Sequence, residues 1–449
     1  MGRLFGTDGV RGVAGSELTP ELALALATAA AEVLLDSAAG TARPAAVVGR
    51  DPRPSGEFLE AAVVSGLLAA GVDVIRLGVV PTPAVALALA ASPVPGASPT
   101  LGVMISASHN PMPDNGIKLF GPGGSKLTDA TEDAVEAHVD RPPRRVTGTE
   151  VGRIVADLDG EVSWYVDRLV ATVPVRLDGL RIVVDCANGA AAVAAPAAYR
   201  AAGADVTVIN AETDGYRIND GCGATHLEPL QEAVRATGAA AGIAHDGDAD
   251  RCLAVDAAGQ VVDGDQIIAV LALAMHEAGQ LRGDAVAATV MSNLGLRRAL
   301  AAHHIDLAET AVGDRYVLER MRADGLSLGG EQSGHVVLAD HAPTGDGILT
   351  GLHLLARVAR TQRSLADLAS VVERLPQVLV NVRVSDKSAA LATLEPLTER
   401  AAGELGADGR VLVRASGTEP LIRVMVEATT EGRAREVAEG LAAAVRSGT

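Results

Sequence analysis

Asp246, Asp248 and Asp250 occupy alternate positions of HDGDADR, residues 245–251. Carboxylates at i, i+2 and i+4 in a loop after a strand can converge on one hard cation, and their mutual repulsion calls for one. The loop is no EF-hand: its sixth position is Arg251 instead of glycine, and its twelfth is Ala257 instead of glutamate. Three carboxylates joined by an incoming phosphate oxygen suit Mg²⁺. A second polar stretch, SASHNP followed by DNGIKLF, brings Ser108, His109 and Lys118 into one segment. A serine hydroxyl is a poor nucleophile without a base or other activation. Ser108 and His109 are adjacent, which does not require the imidazole to reach the hydroxyl, and the G-x-S-x-G elbow of many hydrolases is missing. A solvated turn explains Asn110-Pro111 and Asp114-Asn115-Gly116, but not the trio of serine, histidine and lysine.

Three further loops carry matching chemistry. GTDGVRG, residues 6–12, has glycines that admit a ligand to the backbone N–H groups and Arg11 to clamp a phosphoryl group. In GGEQSGH, residues 329–335, Glu331, Ser333 and His335 alternate. In an extended segment they share one face and can read sugar hydroxyls or an amine. In RASGTEPLIR, Arg414, Ser416, Gly417 and Thr418, with Arg423, can wrap a phosphate. No G-x-x-x-x-G-K occurs, so a nucleoside triphosphate is not implied. Together the five loops ask for phosphoryl transfer on a sugar phosphate.

These loops need a frame. Thr19-Pro20 opens an apolar helix as N-cap and first helical residue. Residues 45–50, 73–79 and 101–106 read as strands separated by helices, an α/β layer pattern. A proline-rich charged stretch, 141–152, marks a boundary, and the pattern restarts twice, so three related α/β units with mixed sheets are expected. From about 376 the strands VNVRV and IRVMVEA alternate, which predicts a half-exposed antiparallel sheet in a small α+β domain. The expected division is 1–145 with the serine loop, 155–257 with the metal loop, 258–370 with the sugar loop and 376–449 with the phosphate loop. Hydrophobic residues make up 48% of the 449, ample for cores. A formal charge of −18 and few aromatics argue against nucleic acid and anionic membranes as partners. Lysine occurs only at 118, 126 and 387; the other basic side chains are arginines, which hints that a compact ammonium is wanted at 118. Cys186, Cys222 and Cys252 are scattered, with no CxxC. The start MGRLFGTDGV has no apolar signal core, and no uncharged apolar run reaches membrane length, so a cytoplasmic protein is expected.

The order GTDGVRG, SASHNP with DNGIKLF, DGDADR, VGDRYV, GGEQSGH and RASGTEP resembles the α-D-phosphohexomutases across essentially the whole chain. The resemblance implies four domains around a central cleft, each lending one loop. It implies that Ser108 is phosphorylated in the active enzyme and holds Mg²⁺ together with Asp246, Asp248 and Asp250. Lys118 and Arg11 would be acid/base or charge-stabilising groups, with His109 and Arg251 nearby and His335 in reach of the chemistry. Glu331, Ser333, His335, Gly313 and Asp314 would hold the sugar. Arg414, Ser416, Gly417, Thr418 and Arg423 would hold the phosphate that is not in transit. A hexose phosphate is the implied partner, with glucosamine or glucose 1,6-bisphosphate as activator, in a monomer or homodimer. Gln332, Gly313-Asp314-Arg315 and the lack of an N-terminal extension point to glucosamine phosphates, feeding amino-sugar nucleotide and cell-wall precursor synthesis. Mannose or glucose phosphates are the alternative. Two rivals stand outside the resemblance: a phosphatase with Asp246 as its nucleophile, and a silent sugar-phosphate sensor.

Overall fold

In a computed structural model of the chain, residues 3–6, 8–35, 43–143, 145–416 and 420–448 are described. They form two compact units: Met1–Val290 with Asp306–Ser370, and Met291–Ile305 with Val371–Thr449.

The first unit contains three mixed sheets. The first is built from β1 (Val10–Val13), β2 (Ala45–Arg50), β3 (Asp73–Val79), β4 (Leu101–Ile105), β5 (Asp114–Phe120) and β6 (Ile154–Asp157), in the order β1-β5-β4-β2-β3-β6. The second holds β7 (Arg181–Asp185), β8 (Asp205–Ile209), β9 (Ala241–Ala244), β10 (Leu253–Asp256) and β11 (Val261–Val262). The third holds β12 (Ala285–Thr289), β13 (Asp306–Thr310), β14 (Leu328–Gly330) and β15 (Val336–Leu338). One plan repeats in all three. β2, β7 and β12 each lie parallel to the strand that follows them and to the next, β4, β9 and β14. The chain then turns and returns antiparallel along β5, β10 or β15. The loops at this reversal are 106–113, 245–252 and 331–335, so three of the five polar motifs occupy the same topological position. The internal repeat, faint in the residues, is plain in the strand order.

The local sequence explains these elements. β4 and the parallel strand β9 are buried at every residue, which is why they read as unbroken apolar runs. The helix Pro20–Leu35 starts where Thr19 Oγ1 accepts from Leu22 N at 3.3 Å. Helix Gly264–Glu277 starts with a full capping box between Asp263 and Gln266. Leu26, Leu59 and Leu67 seal two helices against the first sheet with no exposed area; each contributes about 1.5–3 kcal/mol relative to an exposed side chain. Among the described residues no helix is long and apolar enough to cross a membrane.

Two elements differ from the sequence division. Ile154–Asp157, which the division leaves largely to the second domain, pairs in parallel with β3 and closes the first sheet. A four-residue edge strand with Ile154 and Val155 exposed carries no periodic signal. Residues 291–305, expected within 258–370, group with the C-terminal region. The Asn293 side chain pairs with both the N–H and the C=O of Leu375 at 3.0 Å, and Leu294 N donates to Glu427.

The second unit has an antiparallel sheet of β16 (Gln377–Arg383), β17 (Gly409–Ala415) and β18 (Leu421–Ala428), with β18 in the centre. Helices Lys387–Leu405 and Glu431–Gly448 pack on it through Leu394, Ala438 and Leu441.

Candidate active site

β4 ends in Ser106-Ala107-Ser108, and Ser108 takes a left-handed conformation at φ 51°. For a residue with a Cβ this costs roughly 1–2 kcal/mol, so the surroundings must enforce it. Ser108 N–H donates to Ser106 Oγ at 2.9 Å, and Ser106 Oγ donates to Asp51 Oδ2 at 2.6 Å. Arg53, fully buried, holds the rest of the loop. Its Nε donates to Asp51 at 3.0 Å, its Nη1 to the carbonyls of Pro111 (2.5 Å) and Asp114 (3.0 Å), and its Nη2 to those of Ser108 (3.0 Å) and Asn110 (2.7 Å). All five guanidinium N–H groups thus have acceptors. Asn219 adds donors to the carbonyls of Ser108 and Asn110.

The strained turn aims the Ser108 hydroxyl at the acidic loop, where Oγ donates to Asp246 Oδ2 at 2.6 Å. His109 Nδ1 lies 3.3 Å from the same Oγ. Burial, then Arg251 and Arg11, push His109 down to about 4, so its ring is neutral at physiological pH. The two loops touch because Gly247 has no side chain: a Cβ there would sit 2.5 Å from the Ser108 carbonyl oxygen.

Asp246, Asp248 and Asp250 are all buried, and they offer carboxylate oxygens within 4.8 Å of one another. Burial, then Asp250 and Asp248, push Asp246 up to about 8. Asp250 is raised by burial and Asp248. Burial also raises Asp248, but Lys118 outweighs it and holds this carboxyl well below its usual range. Oδ1 of Asp248 and Oδ1 of Asp250 are buried without a protein hydrogen-bond partner. Two unmet acceptors among three crowded carboxylates fit a hard cation, so this cluster can hold a metal ion.

Lys118, opposite Met104 on β5, brings Nζ to 2.7 Å from Asp248, 2.8 Å from Asp8 and 3.6 Å from Asp250. Burial lowers it, but these carboxylates outweigh burial and keep it charged, well above its usual value. Arg11 on β1 pairs with Asp8 at 3.1 Å and donates to Ala107 O at 3.3 Å. Gly9, at φ 78°, lets that loop press on β5, since a Cβ would meet Ile117 O at 2.4 Å.

The third loop joins through the backbone: Arg251 and His335 form an antiparallel bridge. Arg251 Nε lies 3.9 Å from both Asp246 and Asp250. Glu331 Oε1 accepts from Gly313 N at 3.2 Å, and burial raises its carboxyl despite His335 and Arg251. A cavity of about 470 Å³ has Ser108, Arg11, Asp250, Arg251, Glu331 and His335 in its walls, with His109, Gly313 and Asp314 beside them. Ser333 departs from expectation. Residues 331–334 form a turn closed by Gly334 N to Glu331 O at 3.0 Å, with Gly334 at φ 93°, so the alternation of an extended strand is lost. Ser333 is exposed and lies outside the cavity wall.

In the second unit Arg414 on β17 sits directly opposite Arg423 on β18. Burial and Arg423 both lower Arg414. Lys387 Nζ donates to Ser416 O at 2.9 Å, adding a third cation. Like charges directly opposite each other in a sheet are unfavourable. Gly417 and Thr418 lie outside the described residues.

Family models for phosphoglucomutase/phosphomannomutase match in sequence along the chain: domain I at residues 2–145, domain II at 163–259, domain III at 263–375 and the C-terminal domain at 379–444. The chain belongs to this family. It is 63% identical to a phosphoglucosamine mutase of Acidothermus cellulolyticus, over 99% of this chain and 96% of that one. It is 61% identical to a phosphoglucosamine mutase of Saccharopolyspora erythraea, over 98% of each. The crystal structure of a phosphoglucomutase/phosphomannomutase family protein from Burkholderia thailandensis superposes with a TM-score of 0.83 at 26% identity, covering 99% of this chain and 97% of the other.

This member of the phosphoglucomutase/phosphomannomutase family relies on several residues that the motif reading passes over. Asp51 and Arg53 support Ser108; the signal was a pair of opposite charges flanking Pro52 in RDPRPS, straight after a buried strand. Thr82 donates to Asp248 at 2.6 Å and has no sequence signal beyond a Thr-Pro helix start. Asp8 lies inside GTDGVRG beside the residues singled out and carries the contacts to Lys118, Arg11 and Lys126.

Proposed function

We propose that the protein interconverts glucosamine 6-phosphate and glucosamine 1-phosphate through a phosphorylated Ser108. The observation that supports this most is the meeting of the Ser108 hydroxyl, three carboxylates, a charged Lys118 and the Glu331–His335 loop around one cavity. Asp246, Asp248, Asp250 and the Ser108 phosphate would hold Mg²⁺, which when bound supplies positive charge against the phosphoryl oxygens.

In the first half-reaction the free hydroxyl oxygen of the sugar phosphate bonds to phosphorus as the bond to Ser108 Oγ breaks. The hydroxyl proton leaves to a cavity base, for which His335 is the candidate, and the product is a 1,6-bisphosphate. Lys118 stays an ammonium, so its part is to offset developing charge; Arg11 and Arg251 share it. His109, neutral, borders the same oxygen. In the second half the bisphosphate presents its other phosphate: Ser108 Oγ bonds to that phosphorus as the bond to the sugar oxygen breaks, and the cavity base returns its proton to that oxygen. Glu331 and His335, with Gly313 and Asp314 behind them, would read the sugar in both orientations. Arg414, Ser416, Gly417, Thr418 and Arg423 would hold the phosphate not in transit. Glucosamine or glucose 1,6-bisphosphate would activate the enzyme by phosphorylating Ser108. We assign the four parts 1–145, 155–257, 258–370 and 376–449 one loop each, and place the enzyme in the cytoplasm as monomer or homodimer.

Phosphorus NMR of glucosamine 6-phosphate with the protein, Mg²⁺ and a trace of sugar 1,6-bisphosphate tests the proposal. A 1-phosphate resonance growing without inorganic phosphate is expected. Inorganic phosphate alone would mean a phosphatase, and turnover only of glucose or mannose phosphates would move the assignment to another substrate.

A further inference from the structure

The chain has only three lysines, and the proposed chemistry uses one of them, Lys118. Lys126 lies just beyond β5, fixed by a backbone bridge to Phe120. Its side chain is 9% exposed. Its Nζ contacts Asp8 Oδ1 at 2.5 Å and forms a close ion pair with Asp314 Oδ2. Asp8 belongs to the loop that contacts Lys118, and Asp314 opens the helix Asp314–Asp324, which connects β13 to β14 of the third sheet. The same oxygen of Asp314 lies 3.5 Å from His335 Nε2. His335 is 3% exposed, borders the cavity, and has no protein hydrogen-bond partner at either ring nitrogen. Asp314 is therefore the side chain that fixes one edge of this imidazole, and Lys126 fixes Asp314. Burial pushes the Asp314 carboxyl up, but Lys126 and His335 outweigh it and keep it ionised.

We propose that Lys126 is a positioning residue: it clasps Asp8 to Asp314 and thereby sets His335 across the cavity from Ser108. The clasp forms an alternating chain of charge, Asp248, Lys118, Asp8, Lys126, Asp314, that ends against His335 and ties the phosphoryl end of the site to the sugar end. A lysine suits the place, since its rotatable ammonium can meet two carboxylates from different directions, whereas a planar guanidinium favours two oxygens of one. Arg315 makes a parallel connection, pairing with Asp129 and Glu132 on the helix Asp129–Val139. The Gly313-Asp314-Arg315 segment thus joins the first and third sheets as well as facing the sugar.

This inference rests on the mutase reading, and wild-type turnover in the same assay tests that reading separately. Steady-state kinetics with glucosamine 6-phosphate are measured for wild type, Lys126→Met, His335→Ala and the double variant. Lys126→Met is expected to lower kcat about 10- to 100-fold with KM within about threefold, and Lys126→Arg to restore part of the loss. In the His335→Ala background, adding Lys126→Met is expected to change kcat by less than about twofold, because the residue acts through the imidazole. An equal loss in both backgrounds would overturn the proposal and leave Lys126 a structural ion pair. If Lys126→Met does not fold, the isosteric Asp314→Asn makes the same comparison, with the same two readings.

Discussion

Arg53 commits four of its five guanidinium N–H groups to carbonyls of residues 108–114, and that loop presents the proposed nucleophile. A lysine at 53 keeps the charge but offers three donors from a single atom. Carbonyls of the 108–114 loop then lose partners in a buried site, and the left-handed turn at Ser108 loses its restraint. Arg53→Lys is expected to lose about 3–5 kcal/mol of stability, as for other broken buried pairs, together with most turnover. Urea unfolding followed by circular dichroism checks this; an unchanged midpoint would mean that Ser108 is held by something else. At this scale the groups proposed to do the chemistry stood out in the sequence and their supports did not. Ser108, Lys118 and the three aspartates stand out because their types are unusual for a turn and their spacing is tight. Arg53 acts on backbone carbonyls 55 to 61 positions away, and Asp8 on Lys118 and Lys126 far along the chain, which no local pattern records.

Between elements, the decisive feature is the reversal after β4, β9 and β14, which places three functional loops at equivalent points of three sheets. Strands such as β2, β3 and β18 could be bounded from apolar runs, since burial dictates their composition. The turn at 331–334 could not, because Gly334 breaks an alternation that otherwise looks extended. The approach of the serine loop to the acidic loop depends on Gly247. Gly247→Ala places a methyl against the Ser108 carbonyl and should cost about 1–3 kcal/mol as the loops part. Turnover should fall more steeply than stability, because the 2.6 Å contact between Ser108 and Asp246 lies beside that point. Comparing kcat with the unfolding midpoint tests this, and a variant with full kcat would show that the loops need not touch.

For the whole molecule, the acidic balance of −18 and the scarcity of lysine already implied that anionic ligands must be held by local clusters. Each of the three lysines is engaged by the protein: Lys118 by the aspartates, Lys126 by Asp8 with Asp314, and Lys387 by the Ser416 carbonyl in the second unit. The division into units was less legible, because the segment 291–305 joins its unit through contacts remote in sequence. Stability should also depend on pH through a histidine pair away from the site, His353 half-buried and His341 at the surface. His353 meets Thr172 Oγ1 at 3.0 Å and lies 5.0 Å from His341, ring to ring. Burial, then His341, push His353 down to about 4 from 6.5, and burial also lowers His341. The unfolded chain therefore binds more protons between those values. Stability is unaffected above about pH 6.5 and falls as pH drops toward 4, by at most about 1.4 kcal/mol per unit for this group. Urea midpoints at pH 7 and pH 5 should show a smaller drop for His353→Gln than for wild type; equal drops would exclude the pair as a cause. The central claim is that Ser108 carries the phosphoryl group, and peptide mapping by mass spectrometry after incubation with a sugar 1,6-bisphosphate tests it most directly. The account predicts one phosphoryl group on Ser108, absent in Ser108→Ala, whose label, when it is made radioactive, passes into the sugar phosphates on addition of glucosamine 6-phosphate. A hydroxylamine-sensitive acyl phosphate on Asp246 instead would contradict it.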